Sequence, residues 1–447
     1  MRPMKRAFFG ALLLSTALLL TACPQTPPPP VNPAECPGGP QAAPQAWEPL
    51  RLQGLGRFKG AYVPGEVLAL PAPGLSLQSL GLRAEGVEPL EELPFGLVRF
   101  KVPEGQEEAK AQALLGAGMR YVQPNYIYRP LVMPNDPDYL TSQRPYLNGL
   151  VGLEAAWERS TGRGCPPVVA VLDTGVDKNH PDLKGSLWLP DDILDVADND
   201  RDPTDRDGHG TAVAGVLAAQ TNNGLGIAGV TWGGYLLPIK VFSDSGQGSS
   251  AELIKGVDQA SALGARVINL SLCLVTLENG KEVCASSENG YDDYGLTRAI
   301  RQARSKGIVF VGASGNYNQS VVGYPASLPE VIAVGAVKVD GSRASFSNTG
   351  QTLDLVAPGD PVRTTDLGGG YREWRGTSFS SPIVAGVVAL YMSKYASERK
   401  AWPSPDQVYQ CLTNTAEDLG PSGWDAEYGF GLLRADRAMT DTTSCFP

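Results

Sequence analysis

The sequence predicts an α/β chain, a three-layer α/β/α domain with a mainly parallel sheet, preceded by a small α+β unit. Three observations carry that expectation. In the later part of the chain, VVAVL (168–172), RVINLSL (266–272), GIVFVGA (307–313) and VIAVGAV (331–337) are nearly continuous apolar runs, as strands are when both faces of a sheet are covered. They alternate with helical stretches such as AELIKGVDQASALG (251–264), the order that builds parallel layers. The third observation is a change of pattern after Met133, where the breaker cluster PNDPDY (134–139) sets the layered part off from what precedes it.

The amino terminus justifies separate segments. Arg2, Lys5 and Arg6 precede an apolar run from Ala7 to Leu20, short for a membrane span and suited to a secretory signal. Residues 1–22 are therefore expected to be a signal peptide. Leu20-Thr21-Ala22-Cys23 resembles the bacterial lipobox, so Cys23 is the expected lipid-bearing residue and the membrane an expected partner. Residues 23–54 are rich in proline and read as an extended tether. In 55–132, VPGEVLAL (63–70), FGLVRFKV (95–102) and RYVQPNYIYR (120–129) read as strands, and EEAKAQALLGAG (107–118) as a helix ended by Gly118. The layered domain is expected to occupy 136–447.

Composition narrows the chemistry. With 37 Lys plus Arg against 47 Asp plus Glu, the formal charge is −10, which repels polyphosphate and argues against nucleic acid as a partner. There are two histidines, His180 and His209, too few for an all-histidine metal site. Of 7 cysteines, lipidation of Cys23 would leave an even set in an exported chain, which favours disulfides. Proximity in sequence pairs Cys273 with Cys284 and Cys411 with Cys445, and elimination leaves Cys36 with Cys165.

Three polar residues stand at chemically suggestive places. Asp173 follows VVAVL, at the carboxyl end of a buried strand, where open α/β sheets carry functional groups. By itself it fits a catalytic acid, a phosphatase nucleophile, a ribose-binding acid or a helix cap equally well. His209 lies in DRDGHGTAVAG, between glycines that leave it sterically open, and suits a general base; a buried structural histidine is the alternative. Ser378 lies in WRGTSFSSPIVAGVVALYM, at the start of a helix with Pro382 expected in the first turn. It fits an N-cap, or a nucleophile beside backbone N–H groups that stabilise an oxyanion.

Taken together, these segments resemble the subtilisin-like serine peptidases, whose chain order is aspartate, histidine, serine. NHPDL (179–183), RVINLSL, VGASGN (311–316), RASFSNTG, LDLVAPG and YGFGLLRADRA extend the resemblance over essentially all of 136–440. It implies a self-processed serine endopeptidase acting on polypeptides, with Ser378 as nucleophile, His209 as base, Asp173 orienting the imidazole and Asn316 donating to the oxyanion. It also implies a structural Ca²⁺ site, with side-chain oxygens from Asp182 and Asn223 and carbonyls from Thr221, Leu225 and Ile227, hard ligands suited to that ion. His180 is then structural. Region 55–132 resembles the family's ferredoxin-like propeptide, which assists folding, occupies the cleft and is cut off between Tyr128 and Asp138. A Cys36–Cys165 bridge would keep the matured enzyme on its lipidated tether. A monomer is the default for a secreted peptidase. The competing reading is a surface-anchored binding protein on the same scaffold without activity.

The chain departs from the family in four places. Where a pair of glycines usually walls the specificity pocket it has Cys273-Leu274 and an insertion reaching about Tyr294. Phe379 replaces the methionine common beside the nucleophile. Ala212 and Ile383 stand where relatives commonly carry histidines.

Overall fold

The computed structural model describes residues 53–59, 62–75, 86–127 and 133–446. The expected signal segment, Cys23, Cys36 and nearly all of the expected tether lie outside the described residues. The chain divides into two compact units, Met1–Tyr128 and Arg129–Pro447.

The smaller unit forms one sheet from β1 (Gly54–Leu55), β2 (Tyr62–Pro71), β3 (Glu88–Glu92), β4 (Val98–Lys101) and β5 (Met119–Tyr126), in the order β1-β5-β2-β4-β3. All pairings are antiparallel except β1 with β5. Strands alternate, with Val67, Ala69, Val98, Phe100 and Val122 buried on one face, and helix α1 (Glu107–Gly116) covers that face with Ala111 and Leu114. The helix stops where expected, with Gly118 at φ +103° just beyond it, a conformation that glycine adopts without steric cost. Strand β3, EPLEE, is exposed along its whole length, so no apolar alternation marks it in the sequence.

In the larger unit α2 (Arg144–Leu147) and α3 (Leu153–Trp157) lead into β6 (Val168–Asp173). Next come α4 (His209–Ala218), β7 (Tyr235–Lys240), α5 (Ser250–Ala262) and β8 (Val267–Leu270), then a hairpin, β9 (Val275–Glu278) with β10 (Lys281–Cys284). Helix α6 (Tyr294–Ser305), β11 (Val309–Ala313), β12 (Val331–Lys338) and β13 (Leu355–Asp360) complete the sheet. The ribbon β14 (Val362–Asp366) with β15 (Gly370–Trp374) precedes α7 (Thr377–Arg399), α8 (Pro405–Thr415) and α9 (Ala435–Ala438). The six-stranded sheet has the order β13-β12-β11-β8-β6-β7 and is parallel throughout.

Two cores explain the unbroken apolar strands. Val169 and Val171 of β6 face a core shared with Val213, Val216 and Leu217 of α4 and Ile383, Val387 and Leu390 of α7. Ala170 and Leu172 face the other, with Val257 of α5 and Leu296 and Ile300 of α6. Successive strand residues point to opposite faces, so each must be apolar when helices cover both. Burial of each Val or Leu side chain contributes roughly 1.5–3 kcal/mol. Helix α7 is buried from Thr377 through Ser393, as a helix apolar on all sides must be.

Strand β6 lies between β7 and β8, so successive crossovers depart to opposite sides of it. Such a switch point leaves an open crevice at the strands' carboxyl ends, and Asp173 closes β6 there. The two sequence-local disulfides, Cys273–Cys284 and Cys411–Cys445, are formed. Cys165 has no disulfide partner among the described residues.

Candidate active site

Three chain segments deliver the polar groups to that crevice. Asp173 ends β6 and is buried. His209 is the first residue of α4, set there by Gly208 at φ +106°, and Ser378 is the second residue of α7. His209 Nδ1 lies 2.7 Å from Asp173 Oδ1. A carboxylate only accepts, so Nδ1 carries the proton and Nε2 is left with its lone pair. Asp173 Oδ1 also accepts the N–H of Thr174 at 2.8 Å, which fixes the carboxylate on its strand.

The imidazole pKa is raised. Burial opposes protonation, but the charge and hydrogen bond of Asp173, with Asp207 and Asp205 behind it, outweigh that opposition. Phe379, next to Ser378, brings its ring centroid to 5.7 Å from the imidazole, and Trp374 comes to 6.2 Å. These two rings cover the histidine and reduce its contact with water.

Ser378 Oγ donates to the Ser271 carbonyl at 3.4 Å; among the described residues no hydrogen bond joins it to the imidazole. The expected place of Pro382 needs correction: α7 begins at Thr377, so Pro382 is the sixth helical residue and lies beyond the first turn. Proline has no N–H to give the carbonyl four residues back, which here belongs to Ser378. Ser271 Oγ supplies the missing donor at 2.8 Å, and Asn269 Nδ2 donates to Ser271 Oγ at 2.9 Å. Ser381 Oγ donates in turn to Asn269 Oδ1 at 2.7 Å. Sequence reasoning missed this support, although two polar residues inside the apolar run RVINLSL were a visible signal.

Asn316 follows β11 through Gly315, whose φ is +110°. Its Oδ1 accepts both the N–H of Thr377 at 2.8 Å and the Thr377 hydroxyl at 2.9 Å. A backbone N–H can only donate, so the amide orientation is fixed and Nδ2 is left available at the start of α7. A Cβ built on Gly376 would lie 3.3 Å from that Nδ2, which places the amide against the turn leading into Ser378.

Comparison with known proteins finds relatives of this chain. Residues 164–431 match the model of the subtilase family. The thermophilic serine proteinase of Bacillus sp. (strain AK1) is 35% identical over 390 residues, 86% of this chain and 89% of that protein. Thermitase of Thermoactinomyces vulgaris is 35% identical over 309 residues, 68% of this chain and 99% of thermitase. Subtilisin E of Bacillus subtilis (strain 168) is 37% identical over 277 residues, 60% and 65% of the two chains. The chain belongs to the subtilase family.

As a subtilase it is a serine endopeptidase with polypeptide substrates. Asp205, which sequence reasoning also missed, holds the amino terminus of α4, where His209 sits, in place. It is buried and accepts from Thr174 Oγ1, from the N–H groups of Asp207, Gly208 and Thr211, and from Thr211 Oγ1. Burial alone would raise its pKa, yet these donors lower it. An aspartate shortly before a helix is the cap signal that could have revealed it. His180 is buried and structural, accepting the Asp182 N–H at Nδ1 (3.1 Å) and donating from Nε2 to the Gly370 carbonyl (2.9 Å).

The residues expected to hold calcium in this subtilase gather in one region. Asp182 accepts from Asn223 Nδ2 at 2.7 Å, Ile227 N–H at 3.1 Å and Tyr371 hydroxyl at 3.2 Å. Asn223 Oδ1 accepts the Leu225 N–H at 2.8 Å. A further carboxylate, Asp136, is fully buried and accepts the N–H groups of Asn222 (2.7 Å) and Asn223 (3.0 Å). Burial raises both carboxyl pKa values, and the charge of Asp136 adds to the rise at Asp182. Neither has an ion-pair partner among the described residues, nor does any hydrogen bond there use the carbonyls of Thr221, Leu225 or Ile227. Among the described residues no three His, Cys, Asp or Glu side chains converge as a metal site. Two buried, unpaired carboxylates beside unspent carbonyls nonetheless form a donor set of the kind a hard cation takes.

Proposed function

We propose that this subtilase is an exported, self-processed endopeptidase in which Asp173, His209 and Ser378 form the catalytic triad. The reading is supported above all by the 2.7 Å contact between Asp173 Oδ1 and His209 Nδ1 beside a serine at a helix start. Ser378 Oγ leaves its long bond to the Ser271 carbonyl and gives its proton to His209 Nε2 as it attacks the peptide carbonyl carbon. Asp173 stabilises the imidazolium so formed. Asn316 Nδ2 and the N–H groups at the start of α7 receive the oxyanion. His209 then protonates the leaving amine as the C–N bond breaks, and water releases the acyl group by the same proton path. The covering rings of Trp374 and Phe379 favour transfer of the proton within the site over its loss to solvent.

In this reading residues 1–22 direct export, Cys23 carries lipid, and the smaller unit is a propeptide removed near residue 130. The mature enzyme works as a monomer. Asp136 and Asp182, with Asn223 and the carbonyls of Thr221, Leu225 and Ile227, would hold Ca²⁺, which supplies the positive charge this buried pair lacks. A serine-directed fluorophosphonate probe tests the triad. Labelling of the purified chain that disappears in Ser378→Ala is expected; equal labelling of Ser378→Ala would assign the nucleophile elsewhere.

A further inference from the structure

The hairpin of β9 and β10, which stands in place of the expected glycine pair, is tied to the loop that carries Asn316. The Cys273–Cys284 disulfide closes its base against backbone on two sides. A Cβ built on Gly315 would come within 2.8 Å of Cys284 Sγ, and one on Gly323 within 2.9 Å and 3.1 Å of the Cβ atoms of Cys284 and Cys273. The bridge therefore packs against the residue preceding Asn316 with no room for a side chain between them.

Hydrogen bonds extend the contact. Cys284 N–H donates to Gln319 Oε1 at 2.9 Å, and Gln319 Nε2 donates to the Cys284 carbonyl at 3.2 Å, so one amide grips both backbone groups of the cysteine. Asn348, fully buried, holds the rest of the loop. Its Oδ1 accepts the N–H groups of Tyr317 and Gln319, each at 3.0 Å. Its Nδ2 donates to Gln319 Oε1 at 3.2 Å, and its N–H to the Gly315 carbonyl at 2.9 Å. Asn316 itself is exposed, and among the described residues its side chain is held only by Thr377. The position of its amide is thus set by Thr377 at one end and by the disulfide-backed loop at the other.

We infer that the Cys273–Cys284 bridge, acting with Gln319, is a positioning device for the oxyanion donor. The inference rests on the reading of Asn316 as that donor. A donor aimed in advance at the place where charge develops needs no reorganisation during reaction, and this is the source of its effect. A loop free to drift loses part of the benefit in the transition state while ground-state binding is little changed, so the loss falls on kcat rather than KM.

Steady-state kinetics of the full chain on a peptide amide substrate tests this through a double-mutant cycle. Cys273→Ser/Cys284→Ser is expected to lower kcat about tenfold, part of the roughly 100- to 1,000-fold loss that follows removal of one such donor in subtilisin, with KM within about twofold. Gln319→Ala should act in the same direction with the bridge intact. Asn316→Ala should cost several-fold less in either background than in the parent chain, because a misplaced donor has less to lose. If Asn316→Ala leaves kcat unchanged in the parent, the oxyanion reading fails and the inference with it. If Asn316→Ala lowers kcat by the same factor with and without the bridge, the oxyanion reading stands and the positioning role is overturned. Should the double-serine variant fail to fold, the Gln319→Ala cycle decides alone, and additivity there overturns the role equally.

Discussion

Replacing Asp205 by Ala should both destabilise the larger unit and impair catalysis, because one buried carboxylate organises the amino terminus of α4. Of its donors, the hydroxyls of Thr174 and Thr211 can turn to other acceptors and the exposed Asp207 N–H can find water. The N–H groups of Gly208 and Thr211 are buried and lose their acceptor outright. At about 1–3 kcal/mol for each buried donor left unpaired, and less for the others, the loss comes to about 3–5 kcal/mol. For a unit of this size, at about 2.1 cal/mol/K of unfolding entropy per residue, that corresponds to a fall in Tm of roughly 5–8 °C. Thermal unfolding is best measured in a Ser378→Ala background, where autolysis is suppressed, and kcat in the active background. His209 is the first residue of the helix so anchored, so kcat should fall with Tm. The sign of the pH dependence offers a second check. The folded-state pKa of Asp205 is lowered, so its stabilisation is complete at neutral pH and is lost as pH falls through that pKa. The gap between parent and variant should therefore narrow on acidification. A Tm within 2 °C of the parent, with kcat unchanged, would refute the reasoning.

Three further outcomes follow from the geometry. Asp207→Asn keeps an oxygen for the His209 N–H, which Asp207 Oδ1 accepts at 3.1 Å, but removes a charge that raises the imidazole pKa; the acid limb of kcat/KM should move to lower pH, and an unmoved or alkaline-shifted limb contradicts the electrostatic account. Chelation with EGTA should lower the Tm of the parent but have much less effect on Asp182→Asn, whereas a parent indifferent to chelator would remove the case for calcium. Activity should survive mild peroxide, since the residue next to Ser378 is Phe379, which forms no sulfoxide; rapid inactivation would point to another oxidisable residue at the site.

What was legible in the sequence was whatever a few neighbouring residues encode. The unbroken apolarity of VVAVL announces a strand covered on both faces and puts Asp173 at its tip. The glycines around His209 and the turn before Ser378 mark helix starts. Helix α1 ends as its glycines imply. Strand β3 escaped because an exposed edge strand carries no alternation, and Pro382 was misplaced because a proline within a helix is tolerated only where another group serves the freed carbonyl. That group, Ser271 Oγ, comes from the residue just past β8, more than a hundred residues earlier.

The sequence by itself determined the layering, through strand periodicity, and pointed to the two local disulfide pairs by proximity, whereas the roles given to Asp173, His209 and Ser378 came from their resemblance to the subtilases. Only the tertiary structure decided that Asp136 joins the loop at 221–227, that Asn269 and Ser271 brace the start of α7, that Asp205 anchors the start of α4 beside His209, and that the Cys273–Cys284 bridge lies against Gly315. These contacts are fixed by the closing of two cores around one sheet. A polar group's partner there is whichever donor or acceptor burial leaves within reach, and no local pattern records it.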